Sequence, residues 1–185
     1  MQPPSINIVA SEPAFAIWIT GLPASGKSTV ARALNMQLAA RGVDAAILES
    51  DELRKILTPQ PSYDEAERDQ FYRAIIYTGT LLANHGVPVI FDATANRRVW
   101  RDEARRAISR FLEVYVDCPL EVCIARDPKG IYRRGRESAK GTVPGLHEPY
   151  EAPEQPDIVI HCDRDDPEAA AARIVDKLIA AGFLP

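Results

Sequence analysis

The run Gly21-Leu22-Pro23-Ala24-Ser25-Gly26-Lys27-Ser28 places two glycines, a lysine and a hydroxyl at the spacing G-x-x-x-x-G-K-[ST]. That combination suits one task, holding a polyphosphate. Main-chain N–H groups of such a loop, with the N-terminus of the helix behind it, present positive potential to phosphate oxygens. Gly21 and Gly26 permit backbone angles that a Cβ obstructs. On this reading Ala24, Ser25 and Gly26 form the cradle and Lys27 reaches the outer phosphates. The Ser28 hydroxyl holds Mg2+, and Thr29 touches the inner phosphate. The rival reading, a glycine-rich turn that binds nothing, explains neither the apolar run before the loop nor the helical pattern after it.

A second set of residues points to a phosphoryl acceptor. Asp51 follows a short apolar strand, and ligands of open α/β sheets sit beyond the carboxyl ends of the strands. A carboxylate there accepts or orients the proton of an attacking hydroxyl. It equally suits the N-cap of the next helix. Arg54, three residues on, shares its helix face and is placed to clamp an anionic group. Asp92 ends the run Val87–Asp92, where two readings stand side by side: a carboxylate in the second shell of magnesium, or a strand-end cap. Arg126, Lys129, Arg133, Arg134, Arg136 and Lys140 make residues 127–156 a basic, Gly- and Pro-containing stretch without a long apolar period. We read it as a lid that covers the migrating phosphoryl group and excludes water.

The elements that must position these groups alternate. Strands are expected at Ala14–Thr20, Ala45–Glu49, Val87–Asp92, Phe111–Asp117 and Ile158–His161. Helices are expected at Lys27–Arg41, from about Asp51, at Asp64–His85, Arg97–Ser109, Leu120–Arg126 and Pro167–Ala180. Strands separated by helices pair in parallel through right-handed crossovers. The expected fold is α/β: a three-layer P-loop NTPase with a five-stranded parallel sheet. Residues 1–13 read as a flexible arm and 14–185 as a single domain.

Composition narrows the partners. The 185 residues carry a net charge of -4, which gives no general attraction to nucleic acid or to an anionic membrane. No signal segment or run long enough to span a bilayer is visible, so a cytoplasmic protein acting on a small molecule is expected. Cys118, Cys123 and Cys162 have no metal-site or disulfide-framework spacing and are expected as free thiols. Trp18 reads as core, while Trp100, on a charged helix, is open to a dimer contact. A GTP-dependent switch usually carries an Asn-Lys-x-Asp element after a late strand, and no such run occurs. ATP is therefore the expected phosphoryl donor.

With these residues in view, the chain resembles the adenylylsulfate (APS) kinase family. The likeness is carried by VYVDCPLEVCIARDPKGIYRRGR at residues 114–136 and PYEAPEQPDIVI at 149–160, joined to the phosphate loop and the Asp51/Arg54 pair. The resemblance implies MgATP-dependent phosphorylation of the 3′-hydroxyl of adenosine 5′-phosphosulfate, giving PAPS and ADP, commonly in a homodimer. It implies that Asp51 stands near the acceptor hydroxyl and that Arg54 and Arg68 hold the phosphosulfate. Tyr63 would border the acceptor base, and Arg126 and Lys129 would lie over the nucleotides. Tyr132, within the family-like run, is expected to face substrate. The chain departs from the family pattern at Phe71 (usually Asn) and Val143 (usually Phe). The usual I-S-P-Y-R reads Thr94-Ala95-Asn96-Arg97-Arg98, which keeps only Arg98 of its last three as a substrate residue. These changes fall on the acceptor side. A kinase of another hydroxylated nucleotide, sugar or metabolite, and a silent nucleotide-binding relative, are the alternatives.

Overall fold

The computed structural model describes residues 12–137 and 141–185. Most of the expected N-terminal arm, and the lid residue Lys140, lie outside the described residues. The chain runs β1 (Ala16–Thr20), α1 (Lys27–Ala39), β2 (Ala46–Glu49), α2 (Ser50–Leu57), α3 (Glu65–Asn84), β3 (Val89–Asp92), α4 (Arg98–Ala107), β4 (Phe111–Asp117), α5 (Leu120–Arg126), α6 (Ile131–Glu137), β5 (Ile158–His161) and α7 (Pro167–Ala180). All strand pairs are parallel, in the order β2-β3-β1-β4-β5. The five-stranded sheet between helical layers is thus the expected architecture.

The strand sequences are mostly apolar because both faces of the sheet are covered. Along β1, Ile17 and Ile19 enter one core with Val30, Leu34 and Leu38 of α1 and Ile174, Val175 and Leu178 of α7. Ala16 and Trp18 enter the other core, with Phe71 and Ile75 of α3 and Trp100 of α4. Trp18 stacks on Phe91 with ring centroids 4.6 Å apart. Trp100 is 1% exposed, stacks on Tyr72 at 4.4 Å and donates to Asp69 Oδ1 at 3.1 Å. It is a core residue, which removes it from any dimer surface.

Helix starts follow local chemistry. The Asp64 carboxylate caps α3 by accepting the Glu67 N–H at 2.9 Å. Asp166 caps α7 on the Glu168 and Ala169 N–H groups, with Pro167 in the first turn. Within the lid, α6 was not expected from sequence. Its seven residues are too few to show a repeat, yet they bury Tyr132 and Gly135.

The cysteines overturn the free-thiol expectation. Cys118 and Cys162 form a disulfide, with Cα atoms 5.2 Å apart, and Cys123 is buried and free. The reason is register. β4 and β5 end on the aligned pair Asp117 and His161, so the residue that follows each strand is a cysteine. That alignment is a property of the folded sheet and leaves no trace in cysteine spacing.

Candidate active site

The first wall of the site is backbone. Thr20, the last residue of β1, is buried and bonds Thr94 O at 2.6 Å and the Tyr150 hydroxyl at 2.9 Å. This fixes the turn after β3 beside the loop that begins at Gly21. A Cβ on Gly21 would stand 2.6 Å from the Val116 carbonyl oxygen, so only glycine fits. Gly26 precedes α1 with φ 107°, a left-handed value that other side chains resist. The N-terminus of α1 therefore opens on a cavity of about 570 Å3. Ala24, Gly26, Lys27, Ser28 and Thr29 line it, while Gly21 and Ser25 shape the loop from behind. The Ser25 hydroxyl is buried and has no hydrogen-bond partner among the described residues.

Lys27 is 8% exposed and donates to Leu22 O at 2.9 Å. Burial pushes its ammonium below the ordinary value, and the carboxylates of Asp92 and Asp51 pull it back. An ammonium in that position gains strongly from an arriving phosphate. Asp92 ends β3 in register with Glu49 and Ile19, is 4% exposed and lines this cavity. Arg126 and Lys129 close it from the lid side. The Arg126 guanidinium is anchored by donation to Cys162 O at 2.9 Å.

A second cavity, of about 390 Å3, lies beside the first. Asp51, Arg54, Tyr63 and Arg68 line it, together with Tyr72 and Val143. Arg54 sits over the Phe71 ring at 3.9 Å and near the Tyr63 ring at 4.9 Å, and it pairs with Glu67 at 2.6 Å. Glu67 also accepts the Tyr63 N–H at 2.9 Å and the Ser62 hydroxyl at 3.0 Å. Burial alone would raise the Glu67 carboxyl. Hydrogen bonds from Tyr63, Ser62 and then Arg54 hold it below its ordinary value. They also hold Tyr63 in a left-handed conformation, φ 57°.

The two cavities share Pro23, Ser50, Asp51, Thr94 and Ile131. Asp51 thus stands at their junction. It lies inside α2, whose N-cap is Glu49, so the capping reading of Asp51 is set aside. Lys129 donates to the Asp51 carboxylate at 2.6 Å and lies 3.8 Å from Glu49. The Asp51 hydrogen bond pushes the Lys129 ammonium up.

Two expected substrate residues are elsewhere. Arg98 lines neither cavity; it pairs with Glu154 and lies 4.0 Å from Glu151. Its position on the first turn of α4 aims it across the surface at the C-terminal part of the lid. Tyr132 is 1% exposed and donates to Pro23 O at 3.0 Å, so it buttresses the phosphate loop and does not face substrate. Burial pushes its phenol well up. Sequence reasoning missed Arg32, one turn beyond Ser28 on α1, which lines the first cavity. Its helical spacing from Ser28 was the available signal. It also left Arg134 as a member of the basic run, whereas the structure sets it in the wall of the second cavity.

Comparison with known proteins shows the family. The sequence model of the family "Adenylylsulphate kinase" matches residues 13–161. An adenylyl-sulfate kinase of Myxococcus xanthus is 38% identical over 174 residues, covering 92% of this chain and 94% of that protein. One from Microcystis aeruginosa is 36% identical over 168 residues, covering 91% and 93%. Among solved structures, the Mycobacterium tuberculosis APS kinase CysC in complex with AMPPNP and APS superposes with a TM-score of 0.84. It is 32% identical, and the match covers 90% of this chain and 98% of that one. Sequence and backbone agree with these proteins over most of the chain, which belongs to the adenylylsulphate kinase family of ATP-dependent kinases.

Proposed function

We propose that this protein transfers the γ-phosphoryl group of ATP to the 3′-hydroxyl of adenosine 5′-phosphosulfate, giving PAPS and ADP. The observation that carries the reading is the meeting of a polyphosphate cavity and an arginine-lined cavity at one carboxylate, Asp51. ATP lies in the first cavity with Lys27 on its outer phosphates. The acceptor lies in the second, its anionic tail on Arg54 and Arg68 and its base beside Tyr63. The acceptor hydroxyl approaches the γ-phosphorus at the junction. A bond forms from that oxygen to phosphorus, the bond to the β-phosphate bridge breaks, and Asp51 takes the hydroxyl proton. Arg126 and Lys129 offset the charge spread over the migrating group.

Magnesium fits the donors present. The Ser28 hydroxyl and the Asp92 carboxylate, both hard oxygen ligands, line the same cavity. No group of three or more His, Cys, Asp or Glu side chains among the described residues forms a cage. That suits an ion held mainly by phosphate oxygens and water. Ser28 and Asp92 would hold Mg2+ there, and the ion would supply positive charge that offsets the charge of the transferring phosphates.

The working unit is proposed to be a homodimer, on family likeness, and the compartment the cytoplasm. Among the described residues no helix is long and apolar enough to cross a membrane. Sedimentation of the purified chain tests the dimer. An ADP-release assay with a panel of acceptors tests the reaction. Saturable turnover with APS supports it. Turnover only with another alcohol or nucleotide reassigns the second cavity. ATP binding without acceptor-stimulated turnover makes the chain a silent relative.

A further inference from the structure

Asn96 lies in the turn between β3 and α4, is 3% exposed and lines neither cavity. Its carboxamide is nonetheless engaged at both ends. The side-chain oxygen accepts from Arg68 Nη1 at 2.9 Å, and the side-chain nitrogen donates to Pro149 O at 3.1 Å. A guanidinium only donates and a carbonyl only accepts, so these partners fix which end of the amide is which. The Asn96 carbonyl also accepts the Glu151 N–H at 2.8 Å.

Arg68 is held from three segments of chain. Its Nε donates to Tyr63 O at 2.8 Å, one Nη to Asn96 and the other to Thr142 O in the lid. Of these three hydrogen-bond acceptors, Asn96 alone offers a side chain. The chemistry of that side chain matters. A carboxylate at this position would neutralise the guanidinium inside the protein. A neutral amide orients the fork and leaves its positive charge to act on the second cavity, which Arg68 lines.

The turn that carries Asn96 is itself rigid. The buried Arg101 guanidinium donates to Ala95 O, to Glu151 O at 2.5 Å and to the Glu113 carboxylate at 2.7 Å. The same turn therefore grips Arg68 on one side and the chain leaving the lid on the other. The family pattern has proline where this chain has Asn96, and proline offers neither a side-chain donor nor an acceptor.

We propose that Asn96 is a positioning residue for the phosphoryl acceptor: its carboxamide sets the Arg68 guanidinium toward the acceptor cavity and ties that setting to the lid's return at Pro149. The inference rests on the reading of the second cavity as the acceptor site.

A double-mutant cycle tests both at once. Asn96→Leu, Arg68→Ala and the double variant are assayed for KM of ATP and of APS, with thermal melting of each. Asn96→Leu is expected to raise the KM for APS about tenfold, the size of one well-placed hydrogen bond to a charged group, and to leave the KM for ATP within about twofold. In the Arg68→Ala background the same substitution is expected to change the APS KM no further. A merely structural Asn96 would instead raise both KM values together, or add its full effect on top of Arg68→Ala, and either result overturns the inference. An Asn96→Leu APS KM equal to that of the unmodified protein also overturns it. If Arg68→Ala leaves the APS KM unchanged, the acceptor reading fails first and the inference falls with it. Should Asn96→Leu not fold, Asn96→Ser, which keeps a small polar group too short to reach Arg68, is read in the same cycle.

Discussion

The donor cavity and the acceptor cavity touch at Asp51 but are built in opposite ways. The donor cavity is built around one stretch of chain, Pro23 to Arg32, with its main-chain amides and helix end, and is completed by residues at the ends of β2, β3 and α5 and in the lid. The acceptor wall is side chains brought in from α2, the loop before α3, α3 itself, the turn after β3 and the lid. A backbone site tolerates little change, because a glycine replaced at Gly21 collides with Val116. A side-chain site changes one residue at a time. The departures from the family pattern at Phe71, Ala95, Asn96 and Val143 all fall in or behind the acceptor wall, and the phosphate loop has none.

The contrast breaks first at Lys27. Lys27→Ala should lower kcat about 100- to 1000-fold, since a fixed charge on the transferring phosphoryl group is lost. The melt of the unliganded protein should survive, because the buried ammonium costs desolvation there. A variant that turns over at an unchanged rate would show that the phosphates lie elsewhere. Asp51→Asn separates the two cavities. It should lower kcat about 100-fold by removing the proton acceptor, while the KM for ATP stays within about twofold. Loss of ATP affinity in proportion to kcat would place Asp51 in the donor site alone.

The same contrast explains what could be read in advance. Apart from α6, the order of strands and helices was legible from apolar runs and periods within each element, and the phosphate loop because its residues are consecutive. Arg54 was legible from its helical spacing to Asp51, whereas Tyr63 and Arg68 were legible only through family likeness, since no local rule connects them. The engagement of Arg98 with Glu154 and Glu151, and the burial of Tyr132 beneath Pro23, depend on how the lid folds back on the rest of the chain. The Cys118–Cys162 bond depends on the register of β4 against β5. Each is a contact between segments far apart in sequence, which neither period nor spacing encodes.

Phe71 sharpens the comparison on the acceptor side. Its buried ring carries the Arg54 guanidinium at 3.9 Å, an arrangement worth about 1–2 kcal/mol when desolvated. Phe71→Leu keeps the volume roughly and removes the ring face. It should raise the KM for APS about 5- to 20-fold and leave that for ATP unchanged. Equal changes in both would mean that Phe71 acts through the packing of α3 and not through Arg54.

The smallest expected effect is in stability, at Glu67. Its carboxylate collects the Tyr63 and Ser62 N–H groups, the Ser62 hydroxyl and Arg54, and so holds the left-handed turn that presents Tyr63. Glu67→Gln keeps one acceptor oxygen and loses the charge, which should cost about 1 kcal/mol at neutral pH. The folded-state carboxyl lies below its ordinary value of 4.5, because these hydrogen bonds outweigh burial. Its contribution is therefore fully present above that value and is lost as pH falls through the folded value. Urea melts of both proteins should show a constant stability gap down to about pH 5, then a gap that closes on further acidification. A gap that holds its size at pH 3 would mean that the Glu67 charge has no part in fixing the turn. The turn would then be set by the Asp64 cap and the Arg68 bond to Tyr63 O, both of which Glu67→Gln leaves in place.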